Sequence, residues 1–106
     1  MGKYLISGSY SQAGVKGLLK EGGSSRVDAI GKLLADLGGS LEAFYFAFGS
    51  EDVFLIVELP DDETAAALAL TVAASGAVAI RTTPLLTPEQ IDAATKKTVA
   101  YRPPGA

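Results

Sequence analysis

An α+β fold, with one antiparallel sheet and its main helices on a single face, is what this sequence predicts, on three observations. Strand-type alternation and helix-type spacing follow one another along the chain in the order strand, helix, strand, strand, helix, strand, with a further short helix at the end. The stretch Leu41 to Leu59 holds all four phenylalanines and reads as two strands, apolar on both faces, around Gly49-Ser50-Glu51-Asp52. Val27, Ile30, Leu34 and Leu37 recur at intervals of three and four, the spacing of a helix that buries one side.

The first strand, Lys3 to Tyr10, places Tyr4, Ile6, Gly8 and Tyr10 on one side and Leu5, Ser7 and Ser9 on the other. Ser11 can cap a short helix carrying Val15, Leu18 and Leu19, which Gly22-Gly23 stops. Ser25 and Asp28 stand in capping-box spacing and open the second helical piece, which ends at Gly38-Gly39. After the two apolar strands, Pro60-Asp61-Asp62-Glu63 puts acids where a helix N-terminus favours them, and Ala65, Leu68 and Val72 mark the buried stripe up to Gly76. Ala77 to Thr83 reads as the fourth strand. Thr87-Pro88-Glu89-Gln90 is a strong helix start, with a cap residue, proline at the first helical position and glutamine three after the cap. The pattern is two split βαβ halves, which build a ferredoxin-like βαββαβ sandwich with a four-stranded antiparallel sheet and an extra C-terminal helix. Residues 1–100 read as one domain and residues 101–106 as an extended tail.

At 106 residues the chain is one small domain, and the limited core of such a domain makes burial against a second subunit valuable. Lys and Arg number 9 against 12 Asp and Glu, and the basic residues are scattered, which argues against nucleic acid as a partner. The sequence has no Cys and no His, so disulfides, thiolate nucleophiles, imidazole bases and metal sites built on sulfur or imidazole are excluded. The opening residues alternate like a strand and lack the pattern of a signal peptide, so the cytoplasm is the expected location. The uncharged run from Thr64 to Ile80 is mostly alanine, is broken at Ser75-Gly76, and falls short of the roughly 20 apolar residues of a membrane span, so no membrane is expected.

Several segments carry a resemblance. Gly49-Ser50-Glu51-Asp52 is followed by an apolar strand and then by ELPDDETAAALAL at 58 to 70; GGSLEAFYFAFG stands at 38 to 49 and SGAVAIRTTPLLTPEQ at 75 to 90. With the first strand ending in Tyr10 and the Ser24-Ser25-Arg26 helix entry, these segments resemble the GYD domain family over nearly the whole chain. The family is similar to the dimeric α+β barrel group, in which two ferredoxin-like sheets face each other, and most of its members have no assigned function. The resemblance therefore implies a homo-oligomer, at least a dimer. Glu51 stands where the name-giving motif has tyrosine, while Gly49 and Asp52 match it.

If Gly49 to Asp52 is the hairpin loop, Phe48 faces Val53, and Phe44, Phe46, Phe48, Val53, Leu55 and Val57 share one face. Leu41, Ala43, Tyr45, Ala47, Phe54, Ile56 and Glu58 then share the other, with Glu58 opposite Ala43 and diagonal to Tyr45. A carboxylate and a phenol in a sheltered cavity would have the means for proton transfer, so Tyr10, Tyr45, Glu58 and Arg81 form one candidate pocket for a small apolar or anionic ligand. The plainer reading gives Glu58 to solvent or to an ion pair with Arg81, and Tyr45 to packing. Asp52 either ends the turn with a side chain to backbone hydrogen bond or pairs with Arg26, whose position matches an arginine of the family.

Gly22-Gly23-Ser24-Ser25 lacks the spacing of a phosphate loop, and the acids at 58 and 61 to 63 are explained by the helix N-terminus, so neither cofactor nor metal is expected. Without His, and with no GxSxG or SxxK, hydrolase chemistry has no support. Two classes remain: a non-catalytic small-ligand-binding or assembly protein that oligomerises through a sheet face, and a cofactor-independent barrel enzyme, isomerase or monooxygenase-like, using tyrosine, carboxylate and arginine.

Overall fold

The sheet at the centre of the molecule has its strands in the order β2-β3-β1-β4, every neighbouring pair antiparallel. The computed structural model describes residues 2–106; Met1, where the predicted domain opens, lies outside the described residues. The elements are β1 (Gly2–Tyr10), α1 (Gln12–Glu21), α2 (Gly23–Asp36), β2 (Ser40–Phe46), β3 (Val53–Leu59), α3 (Asp62–Ser75), β4 (Val78–Leu85) and α4 (Pro88–Thr95). This is the ferredoxin-like α+β arrangement expected from the sequence.

Alternation along each strand divides the sheet into a helix-covered face and an open one. Tyr4 and Ile6 of β1 and Val53, Leu55, Val57 and Leu59 of β3 are buried in one cluster with Leu34 of α2 and with Ala65 and Leu68 of α3. Ile30, Leu37 and Val72 pack against that cluster, so the helical stripes predicted from spacing are the stripes that meet the sheet. Among the described residues no helix is long and apolar enough to cross a membrane.

Local chemistry explains the helix ends. The Ser11 hydroxyl accepts the Gly14 N–H at 3.2 Å, and Asp61 Oδ1 accepts the Thr64 N–H at 2.8 Å. Hydrogen bonds from the Thr64 hydroxyl and backbone hold the Asp61 carboxyl below the usual range. Thr87 and Gln90 form the predicted capping box, Gln90 N–H to Thr87 Oγ1 at 3.1 Å and Thr87 N–H to Gln90 Oε1 at 2.8 Å. At the end of α2, Gly39 N–H reaches Leu34 O and Gly38 N–H reaches Ala35 O, with Gly38 at φ 79°, a Schellman closure that needs the left-handed conformation. A Cβ on Gly39 would stand 2.2 Å from Glu58 O, so this position admits the backbone of β3 only because it has no side chain.

Three expectations are corrected. First, α2 begins at Gly23 rather than at a Ser25 cap: Gly22, at φ 85°, turns the chain so sharply that Ser24 and Ser25 already lie inside the helix. Second, the hairpin loop is longer than Gly49 to Asp52. Phe46, not Phe48, pairs with Val53, because Ala47 N–H bonds Asp52 O at 2.8 Å and Asp52 N–H bonds Gly8 O at 2.7 Å, which ties the loop to β1; Phe48 is fully exposed. Third, the β2-β3 register shifts between Leu41 and Ala43, a bulge that turns Leu41 to the helix side opposite Val57.

Candidate functional site

An apolar cleft lies between the sheet and the helices, and its chemistry follows from the alternation just described. Ile6, Val53 and Leu55 form its floor, Ile30 and Leu34 of α2 one wall, and Leu68 and Val72 of α3 another, around a volume of about 60 Å³. Among the described residues that line it, Tyr10 and Arg26 are those with polar side-chain groups, Arg26 is the one charged residue, and none is a carboxylate. Arg26 is half-buried in the first turns of α2 and makes no ion pair among the described residues. Beside this cleft, and sharing Tyr10 with it, a wider hollow of about 370 Å³ opens between Val15 and Leu18 of α1 and Phe46, Phe48 and Asp52 near the hairpin loop.

Asp52 fixes the geometry of that end. Its carboxylate accepts the Tyr10 N–H at 2.9 Å, which anchors the last residue of β1 to the loop, and it makes no ion pair with Arg26.

Across the sheet lies the open face, whose rungs run Leu85–Lys3–Glu58–Ser40, then Thr83–Leu5–Ile56–Ala43, then Arg81–Ser7–Phe54–Tyr45. Tyr45 is 71% exposed and Phe54 37%. At one edge, the Arg81 guanidinium stands 3.3 Å from Glu51 Oε1, the Ser9 hydroxyl donates to Glu51 Oε2 at 3.1 Å, and a polar hollow of about 200 Å³ surrounds them. At the other, Lys3 pairs with Glu42 at 3.0 Å; that hydrogen bond and charge, with a smaller contribution from Glu58, raise the Lys3 amine above its ordinary pKa.

The six residues singled out from sequence thus fall into two groups. Tyr10, Arg26 and Asp52 gather at the helix-covered end, whereas Tyr45, Glu58 and Arg81 belong to the open face. Glu58 faces Ser40 and Lys3, not Ala43, because the longer loop shifts the β2-β3 register by two residues and the bulge by one more; Arg81 is two rungs away, about 13 Å along the strands, and pairs with Glu51 instead. The single pocket of Tyr10, Tyr45, Glu58 and Arg81 is therefore not assembled within one chain. Sequence reasoning missed the Ser9–Glu51–Arg81 cluster. Its signal was the shared parity of Ser9 and Arg81, readable only once the β1-β4 register is known.

Tyr4 has a separate role. Its hydroxyl, on a buried side chain, donates to Asp62 Oδ1 at 2.5 Å and ties β1 to the first turn of α3. This hydrogen bond first, then burial and the nearby acids, push the phenol up to about 12. The folded state holds this proton more tightly than the unfolded chain, so the stabilisation is complete below the ordinary tyrosine pKa of about 10 and is lost as pH rises toward 12. In a spectroscopic alkaline titration of the folded protein, one tyrosine is expected to ionise near pH 12, and that step to vanish in Tyr4→Phe.

No curated protein and no solved structure matches the chain. The sequence model of the GYD domain matches residues 4–95, from the buried Tyr4 of β1 to the end of α4, and the chain belongs to the GYD domain family.

Proposed function

We propose that the protein is a non-catalytic small-ligand-binding protein that works as a homo-oligomer of at least two copies paired through the open sheet face. The ligand is small and apolar with one anionic group, held in the cleft between helices and sheet. The observation that carries this reading is the pairing of an apolar lining with a single cation among the described residues, Arg26, that has no carboxylate among its described cleft neighbours. An apolar void of this kind favours an apolar guest over water, and a guanidinium at its wall selects for a carboxylate. Tyr10 adds a hydroxyl, and Asp52 positions Tyr10 through its backbone. A proton-transfer enzyme would need a base facing the same space; among the described residues no carboxylate lines the cleft, Glu51 and Glu58 belong to the other face, and Asp52, in the adjoining hollow, is engaged by the Tyr10 N–H, which favours binding over catalysis.

The open face supports the assembly half of the reading. Leu5, Ile56, Phe54, Tyr45 and Ala43 are contiguous across adjacent rungs, and pairing two such faces buries on the order of 1,000 Å² or more, the scale of a specific interface. Tyr45, Glu58 and Arg81 then lie within or at the rim of that contact. A cytoplasmic setting is part of the same proposal.

Calorimetric titration with straight-chain carboxylates from butanoate to octanoate tests the ligand class. Binding is expected to favour the shorter members, in keeping with the volume of about 60 Å³. Arg26→Gln should weaken it about tenfold or more, the usual worth of a charged hydrogen bond. Absence of binding by the unaltered protein, or equal affinity of Arg26→Gln, would overturn the assignment.

A further inference from the structure

We infer that residues 86–106 form an arm that lies against the body of a second copy of this chain. From Pro88 to Ala106 every residue is exposed, and the molecule is drawn out to 56 × 33 × 23 Å with a radius of gyration of 17.0 Å, against about 13 Å for a compact chain of this length. The arm is nevertheless ordered by design: α4 has eight residues and a complete capping box, although a helix so short is marginal in water without a packing partner. Leu86, Ile91, Val99 and Tyr101 give it apolar side chains that its own body leaves exposed.

Charge identifies the occupant. The arm carries Lys96, Lys97 and Arg102 against Glu89 and Asp92, a balance of 3 − 2 = +1 with all three cations in its last eleven residues; residues 1–85 keep 9 − 3 = 6 basic residues against 12 − 2 = 10 acids, a balance of −4. A basic, apolar arm and an acidic body on the same molecule are complementary between copies. The arm also leaves from Leu85, at the edge of the open face, where the same rung carries Glu58 and Lys3 is already paired with Glu42. This inference rests on the proposed pairing of two copies and adds to it which segment crosses between them.

Zero-length carbodiimide cross-linking of a mixture of isotopically light and heavy full-length protein, dissociated and reassembled, tests it directly. Links from Lys96 or Lys97 to body carboxylates are expected in mixed-isotope peptides, and Ile91→Asp, at an exposed position that leaves the fold intact, is expected to raise the dimer dissociation constant at least tenfold. A dimer whose arm links are all single-isotope, or whose dissociation constant is unmoved by Ile91→Asp, would overturn the arm alone. A protein that sediments only as a monomer would overturn the arm and the pairing together.

Discussion

Replacing Ile56 by glutamate is expected to convert the assembled protein into a folded monomer. Ile56 sits on the middle rung of the open face, between Leu5 and Ala43, and its side chain points away from the helices. In an isolated chain that face meets water, so a carboxylate there costs the fold little. In a paired sheet the same carboxylate is buried without a partner, and an uncompensated buried charge costs about 3–5 kcal/mol, a loss of more than a hundredfold in association. Sedimentation together with circular dichroism separates the effects: unchanged secondary structure with a halved mass is the expected result. A variant that assembles as tightly as the parent would place the interface elsewhere.

Leu34→Ala is expected to cost stability on a similar scale. Leu34 is 1% exposed, fills the contact between α2 and the sheet, and belongs to the cluster that holds Val57 and Leu59. Truncation removes its apolar contacts and leaves a cavity, for a typical loss of about 2–5 kcal/mol. In a domain of this size that lowers the melting temperature by roughly 10 °C or more, compared at equal protein concentration because assembly adds to apparent stability. Leu33→Ala, one residue away but 38% exposed, should cost less than half as much. Equal losses at the two positions would mean that α2 is seated in a different rotation.

What could be read from the sequence divides along a physical line. Periodicity and capping are local, so the element order, the α3 stripe of Ala65, Leu68 and Val72, and the Thr87–Gln90 box were legible. Register is not local. The extra residue near Glu42 and the bonds from Asp52 to Gly8 and Tyr10 depend on strands distant in sequence, and they alone move Leu41 inward, expose Phe48 and take Glu58 away from Ala43. The same limit applied to the site. The side of β1 on which Tyr10 sits was readable from alternation, but the choice of that side for the helices is made by tertiary contacts such as Tyr4 with Asp62. Arg26 was visible as a residue of the helix entry, while the apolar cleft beside it exists only after α2 and α3 settle over the sheet.

The surplus of apolar surface on Phe54, Ile56 and Tyr45 leads to one central statement, that this sheet face is a contact between copies. Sedimentation of the unaltered protein at micromolar concentration tests it most directly: at least twice the chain mass of 10.9 kDa is predicted. A single stable species at 10.9 kDa, with the open face in water, would contradict it.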